Sequence, residues 1–491
     1  MFGEKPSRQM KNREECDNLS RDKPIPLLSR IMIKLIVTAA VFILIIVLPL
    51  PSGLTIEGQR VLAVVAASIL LWITEALPMG VVALISIVLL AITGGVPSIT
   101  EAVHGFSNPL VYFLLGVLTL SMGVTSTGLV EHVARYLIAR SKERFWVLYS
   151  HLIMSFALLT FLLPSAITRS SILIPVYERI LDSVRTARRS PAGKAIMLAL
   201  ASLNRIASTA LLTGGVTPVV AAALLGPLLG GFSWVLWFKM MGPIMYLVLA
   251  LGGLSVYLLH HPSTTTLPTR KVVDTSQQRL SRDQKKMLGI VSVVSLLWLT
   301  DSWHHLNPAL PALMAAVIIL SPGIGVLNWA SFQRGLPWAN IFVVAASLSL
   351  ANALNSSGAT TWLAGILTST FSSTIPNPHI QLMLLMLITS LARFAITSIA
   401  AFLALVLPVV VAFSQQAGIN PLVCGMAVTI VADSVVYYTF TGPSTIMAYE
   451  RGHFSAWELL RLGLVMTVLS YSVVLLVAVP YWSILGERLV P

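Results

Sequence analysis

Four ionisable residues lie inside apolar runs of the sequence: Arg169, Arg205, Arg393 and Asp433. A charged side chain is costly in such a run and usually serves function. Because a guanidinium can hold a carboxylate through two parallel hydrogen bonds, the arginines predict a site for an anion. For Arg393 and Asp433, a buried pair with a structural or gating role is an equal alternative.

Hydroxyl residues cluster at two points where the chain turns between apolar arms. A helix that begins at such a turn directs free N–H groups and a partial positive charge towards it, which favours an anion. For any single hydroxyl, the alternative is a bond to its own helix backbone. The predicted substrate-binding residues come from these turns and from two later loops: Ser165, Thr168, Arg169, Ser170, Thr217, Pro218, Thr397, Ser398, Thr441, Pro443 and Ser444.

Two apolar runs are interrupted by Gly, Pro and Thr, at 213–218 and 439–445. Such interruptions free backbone carbonyls, which can coordinate Na⁺ beside a hairpin tip. Kinks without a ligand are the alternative. The predicted Na⁺ ligands are Ser165, Thr213, Gly215, Ser398, Thr439 and Thr441.

The composition determines the class of protein that must position these residues. Of 491 residues, 56% are hydrophobic and 10% are charged, and the mean hydropathy is +0.85. Soluble domains carry roughly 25% charged residues. A soluble enzyme, a disordered chain and a nucleic-acid-binding module are therefore excluded, and a polytopic helical membrane protein is predicted. No metalloprotease or nucleophile-elbow motif occurs, so we do not expect an enzyme.

The charged residues are concentrated in four stretches, which contain 23 basic and 11 acidic residues and so supply +12 of the net charge of +13: 1–34, 131–144, 178–194 and 270–286. Basic residues in short segments between apolar runs mark the cytoplasmic side. The sequence therefore predicts a multi-pass protein of the cell membrane, in contact with lipid, whose N-terminus is cytoplasmic.

The two halves of the chain resemble each other at a nearly constant offset. The matches are 71–75 with 297–301, 125–128 with 355–358, and the spacing from Ser165 to Pro175 with that from Ser398 to Pro408, at offsets of 226, 230 and 233. Two structural repeats around a midplane site are typical of secondary transporters. The predicted layout is a cytoplasmic basic tail at 1–30, a first half at 31–258, a cytoplasmic linker at 259–286 and a second half at 287–491.

Each half is predicted to contain a helical hairpin, at 144–182 in the first half and at 380–414 in the second. The first hairpin has basic residues at both ends, whereas the loops that flank the second carry no charge. We therefore expect two inverted repeats whose hairpins enter the membrane from opposite sides. Two short ordinary spans are the alternative in each case.

With these residues in view, the chain resembles the divalent anion:sodium symporter family, the carriers of dicarboxylates, citrate and sulfate. The matching segments are Glu75-Ala76-Leu77-Pro78, Gly105-Phe106-Ser107-Asn108-Pro109, Thr441-Gly442-Pro443-Ser444, Gly452-His453 and Leu462-Gly463-Leu464. The resemblance implies an all-α elevator-type transporter with inverted repeats, re-entrant hairpins, broken helices, two Na⁺ sites and a homodimeric scaffold.

The hairpin tips depart from the family's Ser-Asn-Thr signature. This chain has Ser165-Ala166-Ile167 and Ser398-Ile399-Ala400, and its first broken loop keeps only Thr217-Pro218. We expect secondary transport of a small dianion such as succinate, malate, citrate or sulfate, by symport or exchange, with little dependence on Na⁺. In this hypothesis Arg169 supplies the positive charge and binds the anion, so Arg169→Ala abolishes binding. A carrier of another oxyanion such as arsenite, a Na⁺-independent exchanger and a channel are the alternatives.

Overall fold

The computed structural model describes residues 27–133, 144–163, 165–183, 188–260, 279–372, 375–396 and 398–490. Most of the predicted N-terminal tail and most of the predicted linker lie outside these residues. The first half contains the helices α1 (Leu27–Val47), α2 (Ile56–Thr74), α3 (Met79–Ile92), α4 (Ile99–Ala102), α5 (Pro109–Ser126), α6 (Phe145–Leu162), α7 (Ala166–Ser183), α8 (Pro191–Leu198), α9 (Asn204–Thr209), α10 (Val216–Leu225) and α11 (Trp234–His260).

The second half repeats this order of long and short helices. It contains α12 (Arg282–Leu299), α13 (Asp301–His304), α14 (Ala309–Leu320), α15 (Trp329–Gly335), α16 (Trp338–Ser356), α17 (Ala359–Leu367), α18 (Pro378–Ala395), α19 (Ile399–Ala417), α20 (Pro421–Ser434), α21 (Pro443–Tyr449), α22 (Ala456–Val473) and α23 (Val479–Ile484). Short 3₁₀ or π segments join several of these helices, including α8 to α9 and α22 to α23. The all-α prediction is confirmed.

Seven helices among the described residues are long and apolar enough to cross a bilayer. Large apolar side chains face outwards, for example Ile92 at 77% exposure and Leu476 at 75%. Such faces match a hydrocarbon environment rather than water. The first predicted span, 31–50, corresponds to α1, which begins earlier, at Leu27.

Helices of the two halves pair by position. Each helix start in the second half lies 222 to 233 residues after its counterpart: Ile56 and Arg282, Met79 and Ala309, Pro109 and Trp338, Phe145 and Pro378, Ala166 and Ile399, Pro191 and Pro421, Val216 and Pro443, and Trp234 and Ala456. The tryptophans of the matched Leu-Trp segments also make equivalent hydrogen bonds. The indole of Trp72 donates to the carbonyl of Met79 at 3.4 Å and that of Trp298 to the carbonyl of Pro308 at 3.1 Å, at the start of the next long helix in each case.

The contacts between helices follow the same pairing. Helix α5 packs against α14, and their counterparts α16 and α3 pack against each other. In the same way α7 packs against α21, and their counterparts α19 and α10 pack together. Contacts that are exchanged under the pairing of the halves are what a two-fold pseudo-symmetry axis produces.

The helices form two layers. One contains α1–α5 and α12–α17, and the other contains the two hairpins and the broken helices with α11 and α22. Helix α19 crosses between the layers and contacts both α16 and α17. Every candidate site residue belongs to the second layer, so this layer positions the site.

The two predicted hairpins correspond to α6–α7 and α18–α19. The arms of the first hairpin, predicted at 144–163 and 166–182, are the helices Phe145–Leu162 and Ala166–Ser183. In the second hairpin, the predicted and observed ends of the arms differ by at most three residues. The predicted linker is shorter than expected, because α11 continues to His260 and α12 begins at Arg282. The Ser281–Gln284 capping box explains that early start.

Candidate anion-transport site

A serine begins the second arm of each hairpin. The hydroxyl of Ser165 accepts the Thr168 amide at 3.3 Å, and the hydroxyl of Ser398, the N-cap of α19, accepts the Ala401 amide at 3.5 Å. Each serine thereby satisfies one of the free N–H groups of its helix start. The first amides of α7 and α19 have no acceptor within their own helix and remain suited to an anion.

Arg169 is fully buried on the second arm of the first hairpin. Its guanidinium donates to the carbonyl of Leu163 (2.6 Å), to the side chain and the carbonyl of Asn204 (2.8 and 2.9 Å) and to the hydroxyl of Ser208 (2.6 Å). Leu163 is the C-cap of α6, so Arg169 satisfies a carbonyl that the end of the first arm leaves free. In this conformation the side chain connects the hairpin to α9 and does not point its donors at a ligand.

Asn204 is a site residue that the sequence analysis did not single out. Its amide donates to the carbonyl of Ala166 and to the hydroxyl of Ser170, both at 2.8 Å, while its oxygen accepts from Arg169. A buried amide whose donors and acceptor are all used fixes the register of the two helices it joins. The available signal was an Asn beside Arg205 in an otherwise apolar run.

Arg393 is buried on the first arm of the second hairpin. Its guanidinium donates to the carbonyl of Ile396, the C-cap of α18, and to the carbonyl of Ala432 at 3.2 Å. It also lies 5.6 Å from the centre of the Phe402 ring, within the range of a cation–π contact. Like Arg169, it joins the end of a first arm to the broken helix of its own half.

Asp433 is fully buried, and its ionic partner is Arg205, at 3.1 Å. The suggested pairing of Asp433 with Arg393 is therefore not the one observed. Arg205 also donates to the carbonyls of Asp433 and Val435, both at 2.9 Å, at the end of α20. This pair connects the broken helices of the two halves across 228 residues of sequence.

The carboxylate of Asp433 also lies at the start of α10, in the first half. It accepts from the hydroxyls of Thr209 and Thr217, the latter at 3.3 Å. A negative charge at a helix N-terminus complements the helix dipole. The first broken helix therefore has an internal anion at its start, and Thr217, a predicted substrate ligand, is bonded to it.

The remaining predicted loop residues flank this arrangement. Thr213 accepts from the indole of Trp234 at 3.3 Å, and Gly215 is in an extended conformation before α10. In the second loop the hydroxyl of Thr441 donates to the carbonyl of Tyr438 at 2.5 Å, while Thr439 and Ser444 are buried. Gly214 must be a glycine, because a Cβ there would lie 1.8 Å from the carbonyl oxygen of Ser208.

The packing of α7 on α21 and of α19 on α10 brings most predicted residues into two pairs of helix starts. Ser165, Thr168 and Ser170 lie at the start of α7, whose partner α21 begins with Pro443 and Ser444, and Ser398 caps α19, whose partner α10 has Thr217 and Pro218 in its first turn. Thr397 lies outside the described residues. Each pair combines a hairpin of one half with a broken helix of the other, which is the arrangement expected for a site on the pseudo-symmetry axis.

The charged side chains inside the described hairpins and broken helices carry an excess of positive charge. The buried Arg169 and Arg393 and the partly buried Arg205 supply three positive charges and the buried Asp433 one negative charge, a net charge of +2. The hydrogen-bond partners of Arg169 are all neutral groups. Because a buried charge is stable only when it is compensated, this core is suited to an anion of opposite charge.

Four of the six predicted Na⁺ ligands take part in hydrogen bonds within the chain. Ser165 and Ser398 cap their own helices, Thr213 accepts from an indole, and Thr441 donates to a backbone carbonyl. The carboxylate that could attract Na⁺, that of Asp433, is already paired with a guanidinium and bonded to two hydroxyls. That carboxylate therefore offers a cation no uncompensated negative charge, whereas the hydroxyl oxygens keep lone pairs that could bind one.

Comparison with known proteins agrees with this geometry. Residues 29–487 match the family described as the sodium:sulfate symporter transmembrane region. A "membrane protein" of Cupriavidus necator is 25% identical over 479 residues and covers 92% of both chains. A putative malate transporter of Bacillus subtilis is 23% identical and covers 93% of this chain and 97% of its own. A citrate/succinate antiporter of Escherichia coli is 22% identical and covers 92% and 98%.

A solved structure shares the fold. The YdaH transporter of Alcanivorax borkumensis, whose structure is described as having an unusual topology, superposes with a TM-score of 0.51 at 13% identity over 94% of this chain and 98% of that one. The family match spans nearly all of the described helices, which confirms the resemblance seen in the motifs. The chain belongs to the sodium:sulfate symporter family and is a multi-pass secondary transporter of divalent anions.

Proposed function

We propose that this protein exchanges small dicarboxylates, such as succinate or malate, across the cell membrane without Na⁺ and that it is not an enzyme. The observation that supports this proposal is the net charge of +2 on the buried Arg169, Arg393 and Asp433 together with the partly buried Arg205. A dianion of charge −2 neutralises this core. The fixed guanidinium groups then do what bound cations would do in a Na⁺-coupled carrier.

The electrostatic cost of moving an uncompensated charge through the membrane favours exchange over net uptake. Transfer of one ion from water to a medium of low dielectric constant costs on the order of 20 kcal/mol in the idealised limit, and several kcal/mol after relaxation. With a dianion bound, the site-bearing layer is close to neutral, whereas the empty layer carries about two positive charges. Return of the empty layer is therefore slow, and return with a second dianion is fast.

In this proposal Arg169 acts through its charge and keeps its bonds to Leu163, Asn204 and Ser208. The substrate carboxylates bind at the paired helix starts, where the amides after Ser165 and Ser398 and the hydroxyl of Ser444 are available. This differs from direct capture by the Arg169 guanidinium. The relatives named as a citrate/succinate antiporter and a putative malate transporter support both the substrate class and the exchange mode.

Na⁺-coupled symport is the second candidate, because the family description names sodium. Its ligands would be the loop carbonyls together with Thr213, Gly215, Thr439 and Thr441. We also propose that the protein is a homodimer through the layer of α1–α5 and α12–α17. Neither proposal is needed for the exchange argument.

The membrane orientation is part of the proposal. Both ends of the α6–α7 hairpin are assigned to the cytoplasm and both ends of α18–α19 to the outside, because basic residues flank only the first. Single cysteines at positions 142 and 189, probed with an impermeant thiol reagent from each side, should label from the same side. Labelling from opposite sides would mean that the segment crosses the membrane.

Proteoliposomes test the transport mode. Labelled succinate should enter vesicles that are loaded with unlabelled succinate and should not enter empty vesicles, at the same rate in sodium and in choline buffers. Because the layer with a dianion bound is close to neutral, a potassium diffusion potential should not change that rate. Saturable activation by Na⁺ in vesicles without an internal anion would establish symport instead.

A further inference from the structure

A polar cavity of about 290 Å³ lies at one end of the hairpin layer, away from the transport site. Three helix ends form its walls: the start of α8, the end of α11 and the start of α22. Its lining residues are Pro191, Lys194, Leu259, His260, Glu458 and Arg461. Three of these six side chains carry or can carry a positive charge, so the cavity is suited to an anion.

The charges in this cavity are only partly paired. Lys194 lies 2.6 Å from a carboxylate oxygen of Glu458, and that carboxylate also accepts from Ser455 in a capping box. Arg461 is exposed and forms no hydrogen bond or ion pair within the described part of the chain, although it follows Glu458 by one helical turn. One guanidinium and one imidazole are therefore available for an anionic group.

Aromatic side chains place the cavity at the level of the lipid headgroups. Trp146, at the start of α6, and Tyr257, near the end of α11, stack edge to face at 5.0 Å. Trp457, beside Glu458, is 70% exposed. Trp and Tyr concentrate at membrane–water interfaces. His260 lies one turn beyond Tyr257, just outside the apolar part of α11.

An apolar groove of about 350 Å³ runs along α6 and α11 from this level towards the membrane interior. Trp146 lies at its outer end, and Met154, Leu249 and Gly253 line it further in. His260 follows Gly253 by seven residues, which is two helical turns, so both lie on one face of α11. A groove of this kind fits an acyl chain whose headgroup lies near His260.

We infer that this cavity binds the phosphate group of an anionic phospholipid, with Lys194, His260 and Arg461 as its ligands and an acyl chain in the groove between α6 and α11. The basic segments 178–194 and 270–286 precede two of the neighbouring helices, and basic pockets between membrane helices are favourable sites for anionic headgroups. A bound phosphate bridges α8 and α22, two elements of the transport layer. The inference does not depend on the substrate that is exchanged.

Native mass spectrometry and thermal unfolding of the full-length protein in a nonionic detergent test this site. Phosphatidylglycerol should bind and raise the unfolding temperature, whereas phosphatidylcholine should not. Arg461→Gln should weaken phosphatidylglycerol binding about tenfold or more, because a hydrogen bond to a charged group is lost. Arg334→Gln removes an exposed arginine on α15, outside these basic segments, and should leave binding unchanged.

A second variant distinguishes weaker phosphatidylglycerol binding at this site from a general loss of folding. Glu458→Gln preserves the capping box, because Gln can cap in place of Glu, and it removes the negative charge from the cavity. It should therefore bind phosphatidylglycerol more tightly than the unaltered protein. Equal binding of phosphatidylglycerol by all variants would show that this cavity is not the binding site. If inorganic phosphate raises the unfolding temperature and phosphatidylglycerol raises it no further, the ligand is free phosphate and not a lipid.

Discussion

The first hairpin is anchored by an arginine on its second arm, and the second hairpin by an arginine on its first arm. Arg169 donates to the end of α6 and to α9, while Arg393 donates to the end of α18 and to α20. The two arginines are not at equivalent positions. At an offset of 233, the counterpart of Arg169 is Phe402, the residue whose ring lies against Arg393. Two positions that are not equivalent therefore each supply a guanidinium to the end of a hairpin's first arm.

The two halves differ more at the broken helices. Asn204 and Asp433 are counterparts at an offset of 229, yet Asn204 bonds to its own hairpin, whereas Asp433 bonds across to Arg205, Thr209 and Thr217. The first half thus holds a cation with neutral groups only, and the second half contributes the compensating carboxylate. This asymmetry leaves the core with its net positive charge.

The largest expected effect comes from removing that carboxylate. Asp433→Ala leaves Arg205 without its counter-ion and should destabilise the protein by about 3–5 kcal/mol, the cost of breaking a buried ion pair. Thermal unfolding in detergent measures the loss. Asp283→Ala removes a carboxylate from a surface pair at 3.9 Å and should change little. Equal stability of both variants would show that Asp433 is not the link between the halves.

The second-largest expected effect is a difference in stability between lysine variants of the two hairpin arginines. Arg169→Lys replaces four hydrogen bonds with at most three from a differently shaped group, and we expect a loss of about 3 kcal/mol, since bonds to charged groups contribute roughly 1.5–3 kcal/mol each. Arg393→Lys should cost less, because a lysine can keep the bond to Ile396 and the contact with Phe402. Unfolding temperatures of the two variants test the order, and the reverse order would contradict it.

Replacement of Asn204 tests the effect of the core charge on transport rather than on stability. Asn204→Asp gives Arg169 a carboxylate partner and lowers the core charge to about +1, so dianion exchange should fall at least tenfold, about 1.4 kcal/mol, and become sensitive to membrane potential. Labelled succinate exchange at imposed potentials measures both. Asn204→Ser keeps the charge and serves as the control. Unchanged electroneutral exchange by Asn204→Asp would exclude charge compensation by the core.

The smallest effect concerns the hairpin tips. Ser165→Ala and Ser398→Ala each remove an N-cap and should cost about 1 kcal/mol, whereas Gly at either position should cost only a few tenths. If both serines also line the substrate site, the alanine variants should raise the KM for exchange beyond what the loss of stability explains. An unchanged KM in both would restrict these serines to capping.

Much of the fold could be predicted from local patterns. Membrane class, the two repeats and the hairpin arms follow from hydropathy, constant offsets and the Ser-to-Pro spacing, because each of these features can be read from short segments without knowing which helices pack together. The shortened linker was missed because the capping signal at Ser281 lies in a basic stretch that reads as a loop.

The partners of the charged residues could not be predicted in this way. Composition and hydropathy are enough to place Arg169, Arg205, Arg393 and Asp433 in apolar helices with an excess of positive charge, because both are properties of the amino-acid sequence. The ion pair of Asp433 with Arg205 and the hydrogen bonds of Arg169 to Asn204 depend on the folded chain. A hydrogen bond forms within about 3 Å, and which groups come that close depends on how helices hundreds of residues apart pack together.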